Sequence, residues 1–399
     1  MTQRQAGLRP CRRRQAGRGP SLSNLCGHPV LRSHVRCNNG ERIHTVCSPQ
    51  HHTPRGFRNN YVASVTQSFG ALLRWQFQRW RAGLPPAPLE PTPCERAAVD
   101  FIHRNAQPDE MIPAITWIGH ATALVQASGL GVLTDPIFSR RASPLRFAGP
   151  ARAYPPGLRL DQLPRIDVVL ISHNHYDHLD RDSVLALSRQ SGGSPLFLVP
   201  LGLRSWLSDL GIENVIELDW WQHHGYRGVE FHCTPAQHWS GRGVHDRNRT
   251  LWCAWSILGA DLHWFFSGDT GYSPDFVDTR RHFADRQGAP QGGGFDVALI
   301  AVGACLPRWF MSLQHVDLAE AVQVHVDLGA KRSIGVHWGT FSLADEPLDQ
   351  PIHELDAARR AKGVGEDEFC IMPIGATRRI SRRRVLDVAT VEAPWPSQT

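Results

Sequence analysis

The hydrophobic and polar positions of this chain change rhythm along its length. Residues 1–52 are rich in Arg, Ser, Gly and Cys and show no hydrophobic period, which predicts a disordered leader. Phe69, Leu72, Leu73, Phe77 and Trp80 then recur at helical spacing, with Arg74, Gln76, Gln78, Arg79 and Arg81 on much of the opposite face. The spacing predicts a basic, aromatic amphipathic helix. Two readings of it stay open: a helix docked on the protein's own core, or one lying on an anionic membrane surface. Leu84-Pro85-Pro86-Ala87-Pro88 and Pro91-Thr92-Pro93 stop it and form a stiff linker.

From residue 113 the pattern becomes strand, turn, strand. Ile115-Thr116-Trp117-Ile118 and Ala123-Leu124-Val125-Gln126 flank Gly119-His120-Ala121-Thr122, and Val132-Leu133-Thr134 follows. Val168-Val169-Leu170-Ile171-Ser172, Trp264-Phe265-Phe266, Val297-Ala298-Leu299-Ile300 and Ser333-Ile334-Gly335-Val336 are short apolar runs suited to buried strands. Residues 182–190 and 316–327 read as helices. Strands first and interleaved helices later predict two sheets with helices outside them, and no internal repeat is evident. The resulting division is a leader over 1–52, the helix and linker over 53–110, a main domain over 111–385 and a tail over 386–399.

Composition narrows the class. At 399 residues, 41% hydrophobic and 20% charged, the chain has globular composition and enough apolar mass for a sizeable core. No uninterrupted apolar run reaches the roughly 18 residues of a spanning helix, and residues 1–30 contain no apolar signal region. The formal net charge of +6 is uneven: residues 1–60 hold eleven Arg against Glu41 alone, so the rest is net −4. An acidic body excludes a general nucleic-acid surface. The leader admits two further readings, a transit-like presequence or a mis-assigned start, the next Met being Met111. Nine cysteines, odd in number and without a Cys-x-x-Cys pair, point to a reducing, cytoplasmic setting.

The chemistry concentrates in Ser172-His173-Asn174-His175-Tyr176-Asp177-His178-Leu179-Asp180, directly after a buried strand and before a helix. Alternation on an extended backbone points His173 and His175 the same way, so they can grip one cation together. Asp177 and His178, past the turn, are re-aimed toward a second position. Imidazole and carboxylate donors suit zinc best, and manganese or iron would also accept them. A His-rich surface loop without metal is the bland alternative, and its placement at a strand end argues against it. Two metals need more ligands, and His238, Asp269 and His337 each stand alone at the exit of an apolar strand.

In that order these residues resemble the metallo-β-lactamase superfamily of di-metal hydrolases. Flanking segments narrow the resemblance: Thr116-Trp117-Ile118-Gly119-His120-Ala121-Thr122, Thr134-Asp135-Pro136-Ile137-Phe138, Gly268-Asp269-Thr270-Gly271-Tyr272, Gln314-His315-Val316-Asp317 and His337-Trp338-Gly339-Thr340-Phe341. Over about residues 55–375 they are similar to the branch that holds N-acylphosphatidylethanolamine-hydrolysing phospholipase D and its bacterial relatives.

That resemblance implies an α/β (α+β) fold, a four-layer αββα sandwich with a di-metal site at one sheet edge. It implies a first zinc on His173, His175 and His238, a second on Asp177, His178 and His337, and Asp269 bridging them. Asp177 and His315 would be catalytic. The implied reaction is hydrolysis of an N-acylphosphatidylethanolamine-like phosphodiester by a metal-bridging hydroxide, giving N-acylethanolamine and phosphatidic acid. The alternative is another ester, lactone or phosphodiester on the same fold. A phospholipid substrate, peripheral contact with the inner membrane face and no nucleic-acid partner follow, and a homodimer is left open. Structural zinc alone is disfavoured, because seven N/O ligands over two ions leave open positions.

Overall fold

The computed structural model describes residues 49–62, 64–65 and 67–384. The leader through residue 48 and residues 385–399 lie outside the described residues. Two seven-stranded sheets face each other. The first runs Thr377–Arg379, Ala114–Gly119, Thr122–Ala127, Leu130–Thr134, Val168–Leu170, Leu196–Pro200, Val215–Leu218. The second runs Phe369–Ile371, Ser333–Val336, Val297–Ala301, His263–Phe266, Ala254–Leu258, Val229–Thr234, His223–Tyr226. Each sheet joins an antiparallel half to a parallel half.

Period-two alternation builds the layers. In the strand Val168–Leu170 and the residue after it, Val168 and Leu170 face the inter-sheet core with Trp255 and Phe266. Val169 and Ile171 face outward, against Ile102, Val184 and Leu207 from the helices Val99–Arg104, Arg181–Ser188 and Arg204–Ser208. The helices Asp275–His282, Leu318–Leu328 and Gln350–Lys362 cover the second sheet through Phe276, Val322 and Leu355. The result is the four-layer αββα architecture.

Two expectations need adjustment. The boundary placed at residue 52 falls inside an ordered hairpin, in which His52–Thr53 pairs with Gly56–Phe57. His51 is buried with its ring stacked 4.4 Å from Trp220, and its Nε2 donates to Asp219 Oδ1 at 2.7 Å. His52 Nε2 donates to the other oxygen of Asp219 at 2.8 Å. The body therefore begins no later than His51.

The helix Phe69–Ala82 forms as its periodicity predicts, with Ser68 as N-cap and Gly83 closing it in the left-handed region. It docks through the other face. Trp75 is buried, stacks on Phe310 at 4.7 Å and donates its Nε1–H to the Asp345 carboxylate at 2.9 Å. Phe69 (73%), Phe77 (58%) and Trp80 (78%) are left exposed.

Two buried histidines on the second sheet link the fold to pH. Burial holds His232 and His263 down to about 4, and the hydrogen bond with Glu230 only partly offsets this at His232. An unfolded His titrates near 6.5, so the unfolded chain takes up these protons first. Stability is full above pH ~6.5 and is lost as pH falls toward about 4. We expect the melting temperature to drop across that window and His263→Gln to flatten the slope. An unaltered slope would remove His263 from this account.

Candidate metal centre

The centre forms where loops leave the carboxyl ends of strands from both sheets, the usual place for ligands in parallel sheets. The loop after Val168–Leu170 turns tightly, as the His178 and Leu179 N–H groups donate to the carbonyl of His175 at 3.1 and 2.9 Å. Asp180 ends it by capping the helix Arg181–Ser188. The His238 and Asp269 loops are stitched together by a bridge between Gln237 and Gly271. The loop of His315 joins them through Val316 N–H donating to Thr270 O at 2.8 Å. Gly268, at φ +54°, permits this packing, since a Cβ there would lie 2.6 Å from Ser172 Cβ.

All the residues singled out in the sequence are brought together. One donor group contains His173, His175, His238 and Asp269. His173 Nε2 lies 2.8 Å from His175 Nδ1, His238 Nε2 lies 3.3 Å from the same atom, and Asp269 Oδ2 is 3.8–3.9 Å from the two Nε2 atoms. The second group contains Asp177, His178, His337 and also His120. Asp177 Oδ2 lies 3.3 Å from Nε2 of both His178 and His337, and 3.0 Å from His120 Nε2. Asp269 reaches the second group as well, at 3.1 Å from His178 Nε2 through Oδ2 and 3.1 Å from His337 Nε2 through Oδ1. It is therefore placed between the two. His315 Nδ1 stands 3.9 Å from Asp269 Oδ2.

These donors fit divalent metal. His178 Nε2, Asp269 Oδ1 and His315 Nδ1 are buried without a hydrogen-bond partner, whereas buried polar atoms in folded proteins are otherwise nearly always partnered. Burial pushes His238 to about 3 and His175 to about 4, and it holds His173 well below the usual range, so their lone pairs are available. At the carboxylates burial opposes charge. The positive charge of the His178 ring beside both Asp177 and Asp269 wins, and both stay well below the ordinary carboxylate range. The same carboxylates hold His178 well above its usual range and His337 up at about 9, and a divalent ion would displace those protons.

At His173, His178 and His238 the nitrogen pointing away from the donor groups is anchored, which fixes ring orientation and tautomer. His173 Nδ1 pairs with Ser172 Oγ at 2.9 Å and His238 Nδ1 with the Gln314 carbonyl at 2.9 Å. His178 Nδ1 pairs with Asp135 Oδ2 at 2.6 Å. Asp135 also accepts from the N–H and hydroxyl of Ser172.

Three of these supports escaped the sequence reading as site residues. His120 and Asp135 sit inside quoted segments and signal their roles only by backbone strain: they and His337 are non-glycine residues at positive φ (+53°, +30° and +63°). Asn59, in the N-terminal segment, is buried and clamps a metal-donor residue. Its Oδ1 accepts from His238 N–H and Trp252 Nε1–H at 3.0 Å, and its Nδ2 donates to the His238 carbonyl at 2.9 Å.

Above the donors opens a groove of about 460 Å³. Phe69, Leu72 and Trp75 from the amphipathic helix, with Phe310, Met311 and Leu343, form its apolar wall, while His175, Asp177, Asp269 and His315 form its polar floor.

Comparison with known proteins shows the family and the fold. The family model of the beta-lactamase superfamily domain matches residues 131–338. The chain is 39% identical over 261 residues to N-acyl-phosphatidylethanolamine-hydrolyzing phospholipase D 1 of Caenorhabditis elegans, covering 62% of this chain and 71% of that protein. It is 40% identical over 299 residues to an uncharacterized protein of Mycobacterium tuberculosis, covering 73% and 74%. Among solved structures, an isothiocyanate hydrolase from Delia radicum gut bacteria superposes with a TM-score of 0.51 at 18% identity. That superposition covers 67% of this chain and 99% of the other, and it shows the shared fold.

Asn59→Ala would leave the buried N–H and C=O of His238 unpaired, and Asp135→Asn would release His178. Each is expected to weaken metal retention roughly 10- to 100-fold. Competition against a chromophoric chelator checks this, and wild-type retention in both variants would show that these anchors do not hold the donors.

Proposed function

The chain belongs to the metallo-β-lactamase superfamily, and on that footing we propose that it is a two-zinc phosphodiesterase of the phospholipase D type. It would cleave N-acylphosphatidylethanolamine-like lipids to an N-acylethanolamine and phosphatidic acid. The observation that carries the reading is the groove, where an apolar wall meets a floor drawn from both donor groups, with Asp269 within 3.1 Å of His178 and His337 of the second. An amphiphile with its phosphoryl group at the floor and its chains along the wall would satisfy both surfaces. Relatives that carry this activity in their names, at 39% and 34% identity, support the same substrate class.

His173, His175 and His238 would hold one ion, Asp177, His178 and His337 the other, with Asp269 between them. When bound, two such ions supply a water of near-neutral pKa and neutralise charge on phosphoryl oxygens. The chain's own groups do the rest. Asp177 stays ionised and can orient a nucleophilic water as an acceptor. Burial lowers His315 to about 3, so at neutral pH it is an uncharged imidazole. It can donate one N–H to a phosphoryl oxygen, and it carries no extra proton to give the leaving alkoxide. His120 Nε2 braces Asp177 through Oδ2, the oxygen that also faces His178 and His337. The apolar wall keeps bulk water off the reacting centre.

Substrate would arrive from a bilayer. Among the described residues no helix is long and apolar enough to cross a membrane. The helix Phe69–Ala82 instead presents Phe69, Leu73, Phe77 and Trp80 outward at the rim of the groove. Partition of that face into an anionic leaflet would set the groove mouth against the lipid. Arg81 adds charge there, while Arg79 is partly committed to Asp345 at 3.7 Å.

Purified protein is expected to bind two equivalents of zinc and to release N-acylethanolamine. Asp269→Asn and His178→Ala should each lower turnover by at least roughly a thousandfold with the fold intact by circular dichroism. Full activity in either would sink the two-metal assignment.

Leu73→Ser with Phe77→Ser should weaken binding to anionic vesicles and depress turnover on them. Turnover of a short-chain soluble analogue and the melting temperature should be spared, because both side chains are already exposed. Equal loss on both substrates would retire membrane docking.

A further inference from the structure

Arg247 is the one Arg or Lys among the residues lining the groove. Its guanidinium carbon sits 4.1 Å from the centroid of the Trp239 ring, and that ring meets His175 edge-on at 4.2 Å. Trp239 thus spaces a cation against a metal-donor imidazole.

Among the described residues nothing answers the charge of this guanidinium. Its Nε is buried without a hydrogen-bond partner, and it makes no ion pair with any described residue. Asp246, its chain neighbour, is already committed: its carboxylate accepts from the N–H groups of Arg242 and Gly243 at 2.9 and 2.8 Å. The nearby Arg242 shows how a purely structural arginine is satisfied. It too lies over aromatic rings, Tyr176 and Trp206, and it donates to the carbonyls of Asn174 and Leu179 at 2.8 Å. Arg247 has the stacking and lacks the acceptors. Partial burial already works against its charge.

A planar guanidinium fixed by a ring and short of acceptors matches the oxygens of a phosphate, which it can engage through two parallel N–H bonds. We propose that Arg247 is the anion-recognising residue of the groove, pairing with a charged phosphoryl oxygen held over the metal-donor side chains. The inference rests on the phosphodiesterase reading and sharpens it: the preferred substrates carry a charged phosphoryl group, not a neutral ester or lactone. The oxygen belongs either to the scissile diester or to the phosphomonoester left after cleavage.

The test uses the full-length, metal-loaded protein with bis(p-nitrophenyl) phosphate as substrate and inorganic phosphate as a mimic of the product. In Arg247→Met, which keeps an aliphatic stem over Trp239, KM for the diester should rise roughly tenfold or more while kcat changes less than about threefold. The inhibition constant of inorganic phosphate should weaken by a similar factor. A change in KM alone would assign Arg247 to the diester, and a change in phosphate inhibition alone to the product. Arg247→Lys, with charge but no fork, should recover part of each loss. Metal content and melting temperature should match wild type. Unchanged KM and phosphate inhibition in Arg247→Met, beside an active wild type, would overturn the inference. A wild type without diester turnover would instead count against the phosphodiesterase reading. Calorimetric titration of inorganic phosphate would then decide for Arg247 alone, weaker binding by Arg247→Met supporting it and equal binding refuting it.

Discussion

The carboxylate of Asp269 is buried, and ring nitrogens of His173, His178, His238, His315 and His337 stand 3.1–3.9 Å from it. A charge withdrawn from water to that degree must be met by cations or by donors aimed at it. The imidazoles crowd one another and would relax apart if left free. The surrounding structure prevents this by engaging the outward ring nitrogens of His173, His178 and His238 with Ser172, Asp135 and the Gln314 carbonyl. The left-handed backbone at His120 and His337, tied together by His337 N–H donating to the His120 carbonyl at 2.9 Å, belongs to the same restraint. Desolvated negative charge is concentrated where divalent ions would neutralise it.

Much of this was legible in the sequence, for a physical reason. Ligation needs particular donors at short spacing, so His173 to His178 announce themselves on one loop, and the strands before His238, Asp269 and His337 mark those residues as strand-end donors. Residues whose role is to hold a donor in place carry no such local signature. Asn59 reaches His238 over 179 positions of sequence, and Asp135 looks like a turn residue before proline. Arg247 sits in a polar loop whose charge gives no hint of the ring beneath it. Strands such as Leu196–Pro200 and Ala254–Leu258 are five residues each, too short to declare a period of their own.

The amphipathic helix shows a different limit. Periodicity located it and named its apolar face, but the direction of that face followed from one residue the pattern set aside. Trp75 holds the helix through Asp345 and Phe310, so the broader stripe of Phe69, Leu73, Phe77 and Trp80 turns outward. A hydrophobic stripe shows that a helix has a preferred side. What lies against that side is decided by neighbours far away in the chain.

Asn59 and His238 are 179 positions apart, and His51 and Asp219 are 168 apart. During synthesis the segment that clamps the metal-donor loop emerges long before that loop exists. Its polar groups have nothing to hold until His238 and Trp252 have been made and the amino end has been drawn back to them. Contacts of such long range are the slow ones in folding, because a large loop must close before they give anything back. Completion of the His238 position is thus tied to the return of the amino end, and a nascent chain displays the His-rich loop well before the cradle is finished.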